Sequence, residues 1–232
     1  MRKVCIIQAR MGSSRLPGKV LKLLGDKEVL WHVYNRVKSC DEIDQVIIAT
    51  TVEPVDDAIV EYCKKQGWPV YRGSETNVLS RYYEAACQEN ADVIMRVTCD
   101  CPLIDAGILS EMLQKFNPSV MDYMSTNYPE RSFPVGLDCE LLTFSVLEEM
   151  HKKATTDYDR EHVTPYIYRT HPEKFRIYGF ANKRGNYADL RWTLDTPEDY
   201  AFLQGVYDRH YKSGKPVNIS DIYDEDESEV AS

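Results

Sequence analysis

The stretch Val4-Cys5-Ile6-Ile7-Gln8-Ala9-Arg10-Met11-Gly12-Ser13-Ser14-Arg15-Leu16-Pro17-Gly18-Lys19 decides the fold. Its four apolar leading residues read as a buried first strand, since a short continuous run bounded by turn residues suits a strand covered on both faces. The segment that follows then leaves the carboxyl edge of the sheet, where open α/β sheets bind ligands. Gly12 and Gly18 allow backbone shapes barred to other residues, Ser13 and Ser14 offer hydroxyls, and Arg10, Arg15 and Lys19 bring three positive charges to one loop. Such a loop suits a polyanion, for example a nucleoside triphosphate. It is not a Walker loop, because five residues separate Gly12 from Gly18-Lys19 and Val20 stands where that motif needs Ser or Thr to reach magnesium. The plainer alternative is a solvated turn with scattered charges.

The string from Arg10 to Lys19 resembles the signature loop of the cytidylyltransferases that activate sugar acids, the group of CMP-Kdo and CMP-sialate synthetases. Within that group the resemblance is nearest to relatives acting in spore-coat and surface-polysaccharide synthesis. It implies a single doubly wound, mostly parallel α/β sheet of nucleotidyltransferase (GT-A-like) type. It also implies CTP as substrate, with Arg10, Gly12, Ser13, Arg15 and Lys19 around the phosphates and Ala9 beside them.

With 232 residues the chain can bury one substantial core, so one domain over 1–220 is expected, with an irregular excursion at about 126–138. The net charge of -9 argues against nucleic-acid or anionic-membrane binding and makes any anion site local. Seven cysteines, scattered and odd in number, fit reduced thiols in a cytoplasm better than a secreted disulfide framework. Gln8 and Arg10 interrupt the first apolar run too early for a signal peptide, and no later run is long enough to span a bilayer. A soluble, cytoplasmic protein is the expectation.

Helical spacing of Val29, Leu30, Val33, Tyr34 and Val37 predicts a helix after the loop, 45–50 a second strand, 54–66 a second helix and 69–71 a third strand. That alternation marks a parallel sheet with helices on its faces. The third strand ends in a small polar loop at the same edge. The resemblance brings this loop near the nucleoside and makes Arg72, Gly73, Ser74 and Arg81 candidates for base, ribose or phosphate contacts; an ordinary helix N-terminus capped by Asn77 or Ser74 is the alternative.

A fourth strand over 93–98 leads to Asp100, pinned by Pro102. An aspartate at such a strand tip suits Mg2+, a hard cation that takes oxygen ligands and bridges phosphate oxygens. Cys99 and Cys101 have no further cysteine or histidine pair at zinc-like spacing and read as small buried fillers. Asp105 reads as the cap of a helix over 108–116. Strands are expected at 139–142, 175–180 and 190–193, and helices at 145–154 and from 197 to about 211; residues 221–232 read as an acidic, solvated and disordered tail.

The resemblance adds residue roles. Thr98 falls near the nucleotide, and Asp195 falls where the family has a metal-binding aspartate, which pairs it with Asp100 on Mg2+. Gly136-Leu137-Asp138 and Arg160-Glu161-His162 resemble the spore-coat branch, so Asp138, Arg160, Glu161 and His162 become acceptor-side candidates, with Arg81 and Arg131. An arginine fork suits a carboxylate or phosphate. Asp138 reads almost as well as a buried or capping residue, and a lone helical histidine is more often structural than catalytic.

The chemistry that follows is Mg-dependent attack of an acceptor oxygen on the α-phosphorus of CTP, with pyrophosphate leaving. Arg15, Lys19, Asp100 and Asp195 carry it, and the acceptor is an acidic sugar or a related phosphate or phosphonate. A homodimer is expected by analogy. Two other readings stand beside this one. A nucleotide-sugar-dependent glycosyltransferase has only Asp157-Tyr158-Asp159 to offer as its metal motif, and a non-catalytic CTP-binding protein leaves the acceptor residues idle.

Overall fold

The computed structural model describes residues 1–230, with side chains described through residue 225. Strand β1 (Lys3–Gln8) is followed by the basic loop and a small antiparallel hairpin of β2 (Leu23–Leu24) and β3 (Lys27–Glu28), which opens helix α1 (Val29–Lys38). Then come β4 (Gln45–Thr51), α2 (Asp57–Gln66), β5 (Val70–Gly73), α3 (Val78–Gln88), β6 (Val93–Thr98) and α4 (Ala106–Lys115). The second half adds β7 (Tyr123–Ser125), β8 (Glu140–Thr143), α5 (Phe144–Lys153), α6 (Asp157–His162), β9 (Ile177–Gly179), α7 (Pro197–His210) and α8 (Ile219–Val230).

Seven strands form one sheet in the order β5-β4-β1-β6-β8-β7-β9, and only β8 runs against the others. The chain leaves β1 toward β4 and β5 and returns to β6 on the other side of β1. The carboxyl ends of β1 and β6 are therefore the switch point at which such sheets open a ligand crevice. Side chains alternate across the sheet. Cys5 and Ile7 join a core with Leu30 and Val33 of α1, Met112 of α4 and Leu203 of α7, whereas Val4 and Ile6 join a second core with Leu79 and Tyr82 of α3 and Leu147 of α5. Helices on both faces explain why the strands read as continuous apolar runs.

Buried among those helices, the His32 ring, only 1% exposed, lies 2.8 Å from the Leu24 carbonyl through Nε2. Burial pushes its pKa down from 6.5 to about 4. The unfolded chain thus takes up a proton between those two values that the folded chain refuses, so stability falls as pH drops through that window. The loss attributable to this ring is on the order of 3 kcal/mol. Denaturant titrations between pH 7 and pH 4 check this; a His32→Gln variant is expected to lose less stability over that range than wild type.

Two expectations are corrected. Residues 190–193 form no ladder strand. Val135 N donates to Leu190 O (2.9 Å) and Trp192 N to Val135 O (2.7 Å), a single bridge, and Leu194 N donates to Asp100 O (2.8 Å). The segment crosses loop tips because it must carry Asp195 to the end of β6. Gly136, at φ +114°, makes room for the crossing, since a Cβ there would lie 2.5–2.7 Å from the Trp192 and Thr193 backbone. Gly136→Ala is expected to destabilise the fold by about 3 kcal/mol or more, read from the shift of the denaturation midpoint.

The second correction concerns the carboxyl end. Helix α8 begins inside the residues expected to belong to the domain and continues through much of the expected tail, and Ile219, Ile222 and Tyr223 are buried. Spacing of three and four places these side chains on one helical face, a short apolar stripe hidden in an acidic composition. Tyr223 packs against Trp192 (ring centroids 4.7 Å) and accepts from Asn182 Nδ2 (3.2 Å). Residues 231–232 of the expected tail lie outside the described residues. The short β7 was also not foreseen: at three residues it is too brief to show a period.

Candidate active site

The basic loop is pinched at Met11, whose carbonyl accepts from Ser13 N (2.9 Å) and Gly18 N (3.0 Å). Met11 N in turn donates to Asp56 Oδ1 (2.6 Å), and Asp56, 1% exposed, is also bonded by Thr51 Oγ1. Gly18 takes φ +68° and starts a single 3-10 turn, Lys19–Leu21. That turn sends the Lys19 side chain across the switch point. Its Nζ donates to Asp100 Oδ2 (3.0 Å), Asp195 Oδ1 (2.9 Å) and Leu194 O (2.8 Å).

Each aspartate is separately oriented. Asp100 Oδ1 accepts from Thr98 Oγ1 (2.5 Å), and the Asp100 carbonyl accepts from Leu194 N (2.8 Å) and Thr193 Oγ1 (3.1 Å). Asp195 Oδ2 meets Arg15 Nη2 (3.2 Å) and Arg191 Nη2 (3.0 Å). The Asp195 backbone N–H donates to Asp199 Oδ2 (2.8 Å), and Asp199 closes a capping box with Thr196 at the start of α7. A residue whose acidity would serve a helix cap alone thus also fixes the turn that presents Asp195.

Burial alone would lower the Lys19 pKa, but Asp100 and Asp195 outweigh it and raise the value above 10.5. Burial would likewise raise Asp195, but the bond from Lys19 and the charges of Lys19, Arg191 and Arg15 hold it below 3.8. The stabilising contact of Asp195 is therefore present above its unfolded value and lost only as pH falls through the lower folded one. Across neutral pH Lys19 and Asp195 stay ionised.

A cavity of about 1080 Å³ opens at this edge. Among the residues foreseen from sequence, Ala9, Arg10, Ser13, Arg15, Lys19, Arg81, Thr98, Asp100, Arg160, Glu161, His162 and Asp195 line it. Gly12, Arg72, Gly73, Ser74, Arg131 and Asp138 do not. Arg72 is spent on Thr51 O (2.9 Å), Glu53 O (3.1 Å) and Asp57 (2.7 Å). Ser74 caps the turn before α3 through Asn77 N (3.0 Å), and Gly73 makes room for Arg81, whose Cγ would lie 3.2 Å from a Cβ there. Arg131 and Asp138 pair with each other at 2.7 Å. Asp157 reaches the cavity but Asp159 is buried between Thr156 and Thr170 hydroxyls, so Asp157-Tyr158-Asp159 is no two-carboxylate clamp.

Among the cavity residues not foreseen are Gln8, Asn77 and Arg96. Asn77 appeared only as a capping residue, and it does cap α3 through Ser80 N (3.0 Å). Gln8 and Arg96 had a visible signal, a polar residue at the tip of one apolar strand run and a charge inside another. Buried atoms without a partner gather here, namely Gln8 Oε1, Arg81 Nε and Nη2, and Arg96 Nε. Arg81 is fully buried and bonds only Ser74 O (2.7 Å) through Nη1. A buried donor left unbonded costs about 1–3 kcal/mol, and a ligand that supplies acceptors relieves it.

Among the described residues no group of three or more His, Cys, Asp or Glu can hold a metal ion. Two carboxylates converging within 3.0 Å of one ammonium nitrogen nevertheless suit an ion that takes one or two protein carboxylates and completes its shell with phosphates and water. Cys99 and Cys101 are buried, and burial pushes both thiols well up, as fits packing residues. No described helix is long and apolar enough to cross a membrane.

The cytidylyltransferase family model matches residues 4–219. The spore coat polysaccharide biosynthesis protein SpsF of Bacillus subtilis is 36% identical over 93% of this chain and 89% of that protein. The 3-deoxy-manno-octulosonate cytidylyltransferase 2 of Hydrogenovibrio crunogenus is 33% identical over 53% of this chain and 50% of its own length. Among solved structures, a cytidylyltransferase from Leptospira borgpetersenii superposes with a TM-score of 0.91 at 35% identity, covering 100% of this chain and 96% of that one. From the loop at its amino end to the last strap across the sheet, this chain belongs to the cytidylyltransferase family and is a nucleotidyltransferase.

Proposed function

We propose that this protein transfers CMP from CTP to an acidic sugar or a related phosphate or phosphonate acceptor, releasing pyrophosphate, in surface polysaccharide biosynthesis. The observation that carries the reading is the meeting of Lys19 with Asp100 and Asp195 beside the basic loop, at the sheet's switch point. Cytosine as the base and a polysaccharide pathway rest on the family and on SpsF.

Arg10, Arg15 and Lys19 bind the triphosphate and hold countercharge where negative charge gathers on the departing pyrophosphate. Lys19 reaches those oxygens by giving up its present contacts with the two acids. Asp100 and Asp195 would hold Mg2+, which would offset the phosphate charge and make the acceptor hydroxyl more acidic. Thr98 and Arg191 keep the two carboxylates turned to one point. Arg81, buried with two unbonded nitrogens, supplies donors to the nucleotide near Arg10 and Glu75. A homodimer in the cytoplasm belongs to the same proposal; seven free cysteines accord with a reducing compartment.

Pyrophosphate release with CTP, ATP, GTP and UTP, across 3-deoxy-manno-octulosonate, other sugar acids and phosphate esters, tests the reading. Turnover is expected with CTP and an acidic acceptor, and chelation by EDTA abolishes it. A transferred sugar with release of nucleoside phosphate, or CTP bound and left unchanged across the panel, would overturn it.

A further inference from the structure

Arg96 is a charged residue in the middle of β6, and the sheet alternation puts it on the same face as Thr98. Its position is deep: Ile6 of β1 lies opposite in register, and the Tyr82 ring lies 5.5 Å from the guanidinium carbon. One end of the guanidinium is fixed, because Nη1 donates to Glu140 Oε2. Glu140 is 3% exposed, and its other oxygen already accepts from Tyr123 OH (2.5 Å) and Thr164 Oγ1 (2.7 Å). Both oxygens of this carboxylate are engaged, so it acts as a clamp on Arg96. Burial alone would lower the Arg96 pKa, but the Glu140 charge more than offsets it and secures the positive charge.

The clamp takes Nη1 only. Nε is buried without a partner, and it shares with Nη2 the edge of the guanidinium that presents two parallel N–H donors. Arg96 lines the same cavity as Lys19, Asp100 and Asp195, with Thr98 between it and Asp100 along the chain. Two strand residues rise about 7 Å, so Arg96 lies about that far back along β6 from Thr98, whose hydroxyl donates to Asp100. Arg160, the residue read from sequence as the acid receptor, uses Nη2 on Ala154 O (3.1 Å).

We propose that Arg96 is the seat of the acceptor's acidic group: its Nε and Nη2 edge receives a two-oxygen oxyanion, a carboxylate or a phosphoryl group, while Glu140 holds the guanidinium in place. This rests on the reading of the protein as an enzyme with an acidic acceptor, and it assigns the recognition to a residue outside the basic loop. Arg96 thereby selects acid over neutral sugars, and Glu140, with Tyr123 and Thr164, is its positioning shell.

The test needs no substitution in its first arm. In protein labelled with 15N-arginine, the Arg96 Nε–Hε resonance, assigned by its loss in Arg96→Lys, is followed while 3-deoxy-manno-octulosonate, glucuronate, glucose 1-phosphate or glucose is added without nucleotide. Saturable movement is expected with at least one oxyanionic probe and none with glucose; which probe acts separates carboxylate from phosphoryl recognition. No movement with any of the three acids, movement with glucose alike, or movement with CTP alone would overturn the assignment. In the kinetic arm Arg96→Lys keeps a cation for Glu140 but loses the paired donors, and the acceptor KM is expected to rise about 10- to 100-fold with the CTP KM little changed. A rise in the CTP KM alone counts against it. A resonance that moves with an acid in a protein that releases no pyrophosphate sinks the transfer reading and leaves the seat standing.

Discussion

Lys19→Met is expected to lower pyrophosphate release from CTP by about two to three orders of magnitude, yet to make the protein without nucleotide hold Mn2+ about tenfold more tightly than wild type. Both effects have one origin. In the structure the Lys19 ammonium spends its three donors on Asp100, Asp195 and the Leu194 carbonyl. It stands where a divalent ion shared by the two acids would stand. Removing it leaves the Asp100 and Asp195 carboxyl groups facing each other with room for another cation between them. On the proposed function the same removal would strip the triphosphate of a counterion. Titration calorimetry with Mn2+ alone and a pyrophosphate assay read the two effects separately. An unchanged or weaker Mn2+ affinity in the variant would show that the acids do not share an ion site.

Asp100→Asn and Asp195→Asn are each expected to lower the same rate by about two to three orders of magnitude, with the double variant hardly slower than either single one. The lack of additivity follows from a site in which two ligands act as a unit. Fold and stability are expected to change less, because the amide oxygen keeps one of the two acceptor contacts, to Lys19 or to the neighbouring Thr98 or Arg191. Near-native circular dichroism with lost Mn2+ binding is the expected pattern. A variant that keeps the wild-type rate removes its residue from the chemistry.

The parallel half of the sheet was legible because buried strands and amphipathic helices alternate with the right periods up to Thr98. The later half was less so. Tyr123–Ser125 is too short to show alternation, and residues 190–193 look like a strand because Trp192 and Leu194 are apolar, although their backbone bonds go to Val135 and Asp100. Helix α8 hid its apolar stripe among acids. In the site, the loop, Asp100 beyond the end of β6 and Asp195 could be read from local residue types and family resemblance, and the structure brings them together. Arg72 and Arg131 looked equally suited, since a sequence displays a charge without showing its partner; Asp57 and Asp138 already occupy them. Arg96 was overlooked for the converse reason. Its value lies in a donor left over after Glu140 is satisfied, and Glu140 stands 44 positions away.

Lys19 and Asp195 touch across 176 positions of chain, whereas Lys19 and Asp100 are 81 apart. Synthesis from the amino end therefore delivers the anion grip and the first acid well before the second. Vectorial emergence thus delivers the loop and Asp100 first and Asp195 last, so the three-way contact closes only once the far end of the chain has docked.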